Sequence, residues 1–530
     1  MKQLKRIVVG LTLITILVVS MWAANLTGVQ AAPPSAPKTK TPTPTATPSG
    51  PTATPLPAGN YYVSITGSDS NNGSQASPWR HIQYAMDRVV AGSTVQVMNG
   101  VYNETVTFRN SGSAGGGYIT LQNFSTHAPV IDGTGLPIVN ETGLVVIENK
   151  AYVKLIGFEI RNLQAGGNTS VFPAGIWVRG NGDHLEIRNN KVHNIENSCS
   201  HCGAHGIAVY GRDPNASIHD LIINGNEVYD LQTGWSESMV LNGNVEQFTV
   251  SNNTVHDNNN IGIDFIGFEG ENPNPAVDRA RNGTVFGNLV YNINSYGNPA
   301  YGTERSAGGI YVDGGTNIIV ERNIVHHSNL GVELASEHGG TATSYITLRN
   351  NFFYNNTQAG IAIGGYDKRR GSTENCVIVN NTLYNNFTQG DWGAELYIQF
   401  DTRNNIIKNN VIYANASKRY IESWSAVMTN NVVNYNLYFA PGGGMAGTWI
   451  WKGVTYSTFA AYQTGSTNDV NGLVGTDPLL VNPVTGNLHL QSASPAIDRG
   501  QNLTESGALD IDGQTRIQGA AIDLGADEVR

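Results

Sequence analysis

The sequence predicts an all-β chain wound as a parallel β-helix, with a short helix closing its N-terminal end. Three observations carry this expectation. First, from about residue 150 a motif recurs: apolar, any, any, Asn, any, apolar, then often Tyr or His, as in IRNNKVH at 187, VSNNTVH at 250, LRNNFFY at 348 and IKNNVIY at 407. Its asparagines are Asn190, Asn226, Asn253, Asn288, Asn323, Asn351, Asn381, Asn410 and Asn431, spaced from 21 (410 to 431) to 36 residues (190 to 226). Second, each motif alternates with a short apolar strand that has Gly near its start, such as AGIWVRG at 174, HGIAVYG at 205, GGIYVDG at 308 and AGIAIGG at 359. Strands separated by Asn/Gly turns, repeating with no helical period between them, mark a β-solenoid. Third, about 470 residues follow the N-terminal segments, more than one globular core usually organises, whereas a solenoid grows because each coil touches only its neighbours.

The elements follow in order. Residues 1–31 read as a signal peptide: a basic MKQLKR, the apolar run IVVGLTLITILVVSMWAA, then Val29 and Ala31 before the expected cleavage at Ala32. The run is long enough to serve instead as an uncleaved membrane anchor. Residues 32–58 form a Pro/Thr-rich linker that lacks the apolar mass for a core. Residues 59–150 are the N-terminal cap and first coils. In SPWRHIQYAMDRVV, 77–90, Ser77 suits an N-cap and Pro78 the first helical position, and apolar residues at 82, 85, 86, 89 and 90 make one buried face. That helix would plug the open end of the sheets. Residues 151–440 are the β-helix core, and 441–530 the C-terminal coils and capping region. The recurring Asn has two candidate architectural uses: it tolerates left-handed backbone angles at a corner, and its amide can hydrogen-bond to the coils above and below.

Composition narrows the function. Net charge is −10 with only 14% charged residues, so there is no basic footprint for nucleic acid. No segment after the N-terminal run could span a bilayer, and a secreted monomer is the expectation. Three cysteines do not make a disulfide framework. CSHCGAH, 199–205, has spacing for a metal, but a local Cys199–Cys202 disulfide or two unremarkable thiols suit an exported chain better. Cys376 reads as a packing residue.

YYVSITGSDSNNGS, SPWRHIQYAMDRVVAGSTVQVMNGVYNETV and the Asn-marked coils resemble the secreted right-handed parallel β-helix proteins of the pectin-lyase-like superfamily. The tail, NLHLQSASPAIDRGQ with ALDIDGQTRIQGAAIDLGADEV, is similar to the C-terminal region of bacterial extracellular β-helix proteins. The resemblance spans roughly residues 60–530. It implies the fold and a polysaccharide or oligosaccharide partner. It leaves activity open among lyases, hydrolases, epimerases, esterases and adhesins, because function resides in the site.

Alternation along the Gly-led strands places one set of residues outward. That stripe carries His205, Glu237, Asp264, Asp313 and Glu333, with Trp177, Tyr210 and Tyr311 beside them. Asp313 and Glu333 fall on neighbouring coils, and Asp264 shares the Glu333 column two coils away, roughly 9.6 Å at the strand spacing. Paired carboxylates at such separations suit glycoside hydrolysis, and crowding would hold one of them protonated as an acid. The Asp-then-Glu order followed by His338-Gly339 is loosely similar to the β-helix family of retaining β-xylosidases. That similarity implies Asp313 as nucleophile and Glu333 as acid/base, with no cofactor required. The alternative is a Ca2+-dependent uronate lyase. There Asp264, Asp313 and Glu333 would hold Ca2+, and the base would come from Lys368, Arg369, Arg370, Arg305 or His205. A glycan-binding adhesin is the third reading. His205, Glu237, Trp177, Tyr210, Tyr311, Arg305, Lys368 and Arg369 are the candidate substrate-binding residues. The insertions 267–283 and 295–309 flank the stripe; Glu269, Glu271 and Asp278 of the first read as polar loop residues, with a reach to the stripe as the alternative.

Overall fold

The computed structural model describes residues 56–530. The expected signal peptide and nearly all of the linker lie outside the described residues. Three faces of short parallel strands coil along the chain. One face, beginning at Gly100–Tyr102 and ending at Leu473–Val474, stacks 13 strands in chain order, one per coil. The other two are joined into a 28-stranded sheet. The joint is made by the long strands Glu141–Ile156 and Phe172–Arg188, which turn a corner without breaking their ladder. Inward residues at alternate positions, such as Ile176, Ile207, Met239, Ile263, Ile310 and Val332, form one continuous apolar column.

The coil period is set by amide side chains. In each of Asn190, Asn226, Asn253, Asn288, Asn323, Asn351, Asn381 and Asn410 both the backbone N–H and Nδ2 donate to Oδ1 of the next ladder asparagine, at 2.8–3.1 Å. Each Nδ2 also donates to a carbonyl of the preceding coil, as Asn288 does to Val250. Buried polar groups must be satisfied, and here the repeat itself satisfies them. The register differs at the top from the sequence expectation. Asn410 donates to Asn436, not to Asn431, which belongs to a separate ladder above Asn405. The main ladder ends at Asp469, whose Oδ1 accepts from Asn436 and whose Oδ2 accepts from the Tyr438 hydroxyl. A shorter ladder, Ser328–Asn356–Asn386, likewise ends on a carboxylate, Glu395.

The two roles expected of one asparagine are divided between two residues. The ladder residue holds the hydrogen bonds, and the residue before it takes the left-handed conformation: Asn189, Gly225, Asn252, Gly287, Arg322, Asn350, Asn380 and Asn409 all have φ between 54° and 69°. This explains the frequent Asn-Asn pairs.

The N-terminal end also differs from expectation. The N-terminal helix is one short turn, α1 (Ile82–Met86), not 77–90. Ser77 and Trp79 are held in bridges to Ser74 and Val63, so the helix cannot begin there. Its first amides are capped from a distance, by the Glu104 carboxylate at 2.9 Å from the N–H groups of Ile82 and Gln83. A second helix, α2 (Phe459–Ser466), interrupts the C-terminal coils, with Thr458 as N-cap. Beyond Val474 the chain stops coiling and lies back along the 13-stranded face. There Leu488, Leu490, Leu524 and Ala526 pack on Phe352, Val411, Leu437 and Phe439. Left-handed asparagines fasten it: Asn350 donates to Ser506 and Leu509 carbonyls, Asn380 to Asp523, and Asn409 to Gln501.

This division predicts opposite outcomes at adjacent residues. Asn190→Ala strands the Phe158 N–H and the Leu155 carbonyl and should lower stability by about 2–4 kcal/mol. Asn189→Gly keeps the left-handed angle and should change it by under about 1 kcal/mol. The midpoint of urea unfolding separates them; equal losses would refute the assignment of roles.

Candidate functional site

Parallel register fixes the outward stripe residue by residue. One column runs Val146, Trp177, Ala208, Val240, Asp264, Tyr311, Glu333, Ala362, Tyr397, Glu422. Asp264 and Glu333 therefore stand two coils apart with Tyr311 between them. Asp313 belongs to the adjacent column, opposite Ala335 and diagonal to Glu333.

These acids face outward yet are not solvated. Asp264, Asp313 and Glu333 are 2%, 4% and 7% exposed. The insertions bury them. The loop 267–283 leaves the C-terminal end of the Asp264 strand and is pinned to earlier coils through Asn272, which donates to the Gly211 and Asp213 carbonyls. The loop 295–309 enters the N-terminal end of the Asp313 strand and is pinned through Asn298 to Gly234 and Asn259. The stripe thus lies between two walls.

Burial dominates the electrostatics. The Asp264 carboxyl is pushed well above its usual range by loss of water, then by the charges of Glu237 and Asp313. Asp313 is pushed up the same way, with Glu337 as its main neighbouring charge. Glu333 rises to about 8, through burial and then Glu337. Glu337, half-buried at the rim, rises to about 7 through burial, opposed by the Arg370 guanidinium. A group of acids with one opposing cation cannot all ionise, so protons are held here at neutral pH.

Hydrogen bonds distinguish the acids. Asp313 Oδ1 accepts from the Glu337 backbone N–H at 2.7 Å, a donor that favours its charged form. Glu333 Oε1 accepts from Gln399 Nε2 at 3.2 Å. Asp264 Oδ1 is buried without a hydrogen-bond partner, as is His338 Nε2.

Several expected substrate contacts are differently employed. Trp177 is 1% exposed and packs against His205 and Tyr210, so its face is closed to a ligand. The Tyr210 hydroxyl lies 3.1 Å from His205 Nε2, and His205 Nδ1 lies 3.1 Å from the Glu237 carbonyl and 3.7 Å from its Oε2. Trp177 and Tyr210 belong to an outward-facing apolar cluster separate from the core, and His205 is buried beside them. Tyr311 is likewise buried, between Asp264 and Glu333. Arg305 stacks 4.0 Å over Tyr296. Lys368 is exposed, and Arg369 pairs with Asp367 on an exposed turn. It is Arg370 that turns inward, donating to the Glu337 carbonyl and lying over Tyr366. Among the insertion acids, Glu269 is held by Asn242 beside the cluster, Glu271 pairs with Arg212, and Asp278 caps loop amides of Gly270 and Asn272. Glu337 is the residue that sequence reasoning did not place; Arg370 was expected only as a candidate lyase base, and Gln399 was given no role. Gln399 sat on the outward stripe, two positions beyond the column; Glu337 lies in the ASEHG turn, where no strand alternation predicts direction.

The acids do not form a ready Ca2+ cage. Among the described residues no three of their carboxylate oxygens come within 4.8 Å of one another; His489, Asp512 and Asp527, far along the chain, do. Cys199 and Cys202 are joined as a disulfide, and Cys376 is buried and free.

Two family models match the chain, "Pel9A-like, right handed beta helix region" over residues 61–226 and "Right handed beta helix region" over 276–461. YwoF of Bacillus subtilis (strain 168), described as an uncharacterized protein, is 40% identical over 441 residues, 83% of this chain and 92% of YwoF. Pectate lyase PEL9 of Emericella nidulans is 37% identical over 94 residues, 17% of this chain and 23% of that enzyme. Among solved structures, a GH136 lacto-N-biosidase from Eubacterium ramulus is 13% identical, covering 71% of this chain and 67% of its own, with TM-score 0.49. Pectate lyase Pel9A is 16% identical, covering 90% and 98%, with TM-score 0.45. By its identity to YwoF over most of both lengths, with right-handed β-helix models matching both halves of its coils, the chain belongs to the YwoF family of right-handed parallel β-helix proteins.

Proposed function

We propose that this protein is an exported carbohydrate-active enzyme, a glycoside hydrolase whose acid is Glu333. The observation that carries the reading is the state of Glu333. It is buried, held by Gln399, raised to about 8, and set one coil from Asp313. A general acid must carry its proton at working pH, and this environment keeps it there. Burial and the Glu337 charge raise Asp313 as well, but the Glu337 backbone N–H donates to its Oδ1 and favours its anion, so we assign to Asp313 the charge that the group retains. It then serves as the carboxylate that acts at the sugar carbon, directly or through water. Asp264, two coils from Glu333 in the same column, completes the acidic floor.

A second reading, a Ca2+-dependent lyase, is favoured by the Pel9A-like match over 61–226 and by the orphaned Asp264 Oδ1. Against it, the wall acids are not gathered as a cage, and no Lys stands on the stripe. Incubation with a glycan panel, with and without EDTA, separates the two. Saturated sugars released in EDTA support the hydrolase. Unsaturated uronates, formed only with Ca2+, would displace it.

Three outcomes are expected. Asp313→Asn and Glu333→Gln should each lower kcat by about 10²–10⁴-fold; wild-type rates in both would remove the site. Removing the charge of Glu337 lowers the pKa of Glu333, so in Glu337→Gln the alkaline limb of the pH–rate profile should move acidward by about half to one unit. Glu333→Gln should also stabilise the fold at high pH. The folded-state pKa of Glu333 is raised, so its neutral form supports the fold at low pH, and that support is lost as pH rises through about 8. At pH 9 the variant should gain about 1–3 kcal/mol over wild type, with little change at pH 4; thermal unfolding at both pH values measures it.

A further inference from the structure

The wall acids are not the only convergent side chains. In the C-terminal segment that lies on the 13-stranded face, His489, Asp512 and Asp527 bring one ring nitrogen and two carboxylate oxygens within 4.8 Å of one another. They come from three separate pieces of chain: the strand Asn487–Leu490, the turn after Asp510, and the final residues.

The hydrogen bonds around His489 show what its other nitrogen offers. Asn487 Oδ1 accepts from the His489 backbone N–H, which fixes the orientation of that amide, and it lies 2.7 Å from His489 Nδ1. Nδ1 therefore carries the proton, and in neutral imidazole Nε2 presents a lone pair. Nε2 is 3.0 Å from Asp512 Oδ2, yet the contact is not aligned as a hydrogen bond. A lone pair and a carboxylate oxygen at this distance repel unless a cation lies between them. Two ligands each about 2.1 Å from a tetrahedral centre stand roughly 3.4 Å apart, close to what is seen. The orienting bond from the far ring nitrogen is the usual support of a ligating histidine.

A second observation comes from Asp510. Its side chain is fully buried, and Oδ1 closes the turn by accepting from the Asp512 and Gln514 amides. Its Oδ2 has no hydrogen-bond partner. Arg516 is buried among Asp510, Asp523, Asp527 and Glu528, a single cation against four carboxylates. The pocket is short of positive charge.

We propose that His489, Asp512 and Asp527 form a structural site for a divalent transition cation of the Zn2+ class. Mixed nitrogen and carboxylate ligands suit such an ion, while Ca2+ prefers oxygen alone. Asp527 Oδ2 also accepts the Leu490 N–H, and the His489 ring packs edge-on to Phe352 of the solenoid. The ion would thus lock the returning C-terminal segment against the coils, apart from the acidic wall.

The test uses tag-free full-length protein, stripped with EDTA and dialysed against Zn2+. Elemental analysis should find one Zn2+ per chain, with a rise in Tm that saturates at one equivalent. Asp512→Asn, at a half-exposed side chain, and His489→Gln should each lose that equivalent, while Asp313→Asn retains it. No retained Zn2+ and no Tm response would overturn the site and leave an imidazolium–carboxylate pair. Undiminished Zn2+ in both variants, or a response to Ca2+ but not Zn2+, would overturn it equally.

Discussion

The asparagine ladder is the constraint on which the rest of this structure depends. A stacked amide has an acceptor for two donors below and donors for an acceptor above, so it is satisfied only when every coil repeats the same position. That requirement fixes the rise from coil to coil, whatever the length of the loops. Spacings between ladder residues vary from 26 to 36, as between 410 and 436 and between 190 and 226, yet the strands stay in register. Insertions are therefore expelled sideways, where they become the walls of the site. The ladder also needs an end, and Asp469 and Glu395 supply acceptors that have no onward donor to satisfy.

The same register makes the acidic wall possible. A single outward acid on a β-face would turn into water. Here parallel pairing holds Asp264 and Glu333 in one column with Tyr311 between them, and the insertions remove the water that would otherwise separate their charges. The energetic consequence is a site that works against the fold: each acid is easier to bury protonated than charged. Active sites commonly carry such conflict, and here burial and Glu337 raise the Glu333 carboxyl to about 8. Arg370 and the Glu337 amide offset only part of it.

A different economy governs the C-terminal segment. The left-handed asparagines at the corners are free of ladder duty, so their amides can hold a chain passing outside. Asn350, Asn380 and Asn409 do so on three successive coils. The segment thereby covers the aromatic column of the 13-stranded face at its upper end, where Phe352, Tyr354, Tyr384 and Tyr413 would otherwise meet solvent.

The sequence by itself determined the coil. The Asn-marked repeat, the Gly-led strands and their alternation specify which residues point inward, and they place Asp313 beside Glu333 and Asp264 two coils off, because a strand's side-chain period is fixed at two. What lay between strands was decided only in three dimensions. The direction of Glu337 and Arg370, the closure of Trp177 against His205 and Tyr210, and the distant capping of α1 by Glu104 depend on loop paths, and loops have no period from which direction can be read. Burial was decided the same way. An outward residue is exposed or enclosed according to where insertions from other coils fold, so the property that gives the acids their chemistry belongs to the tertiary structure.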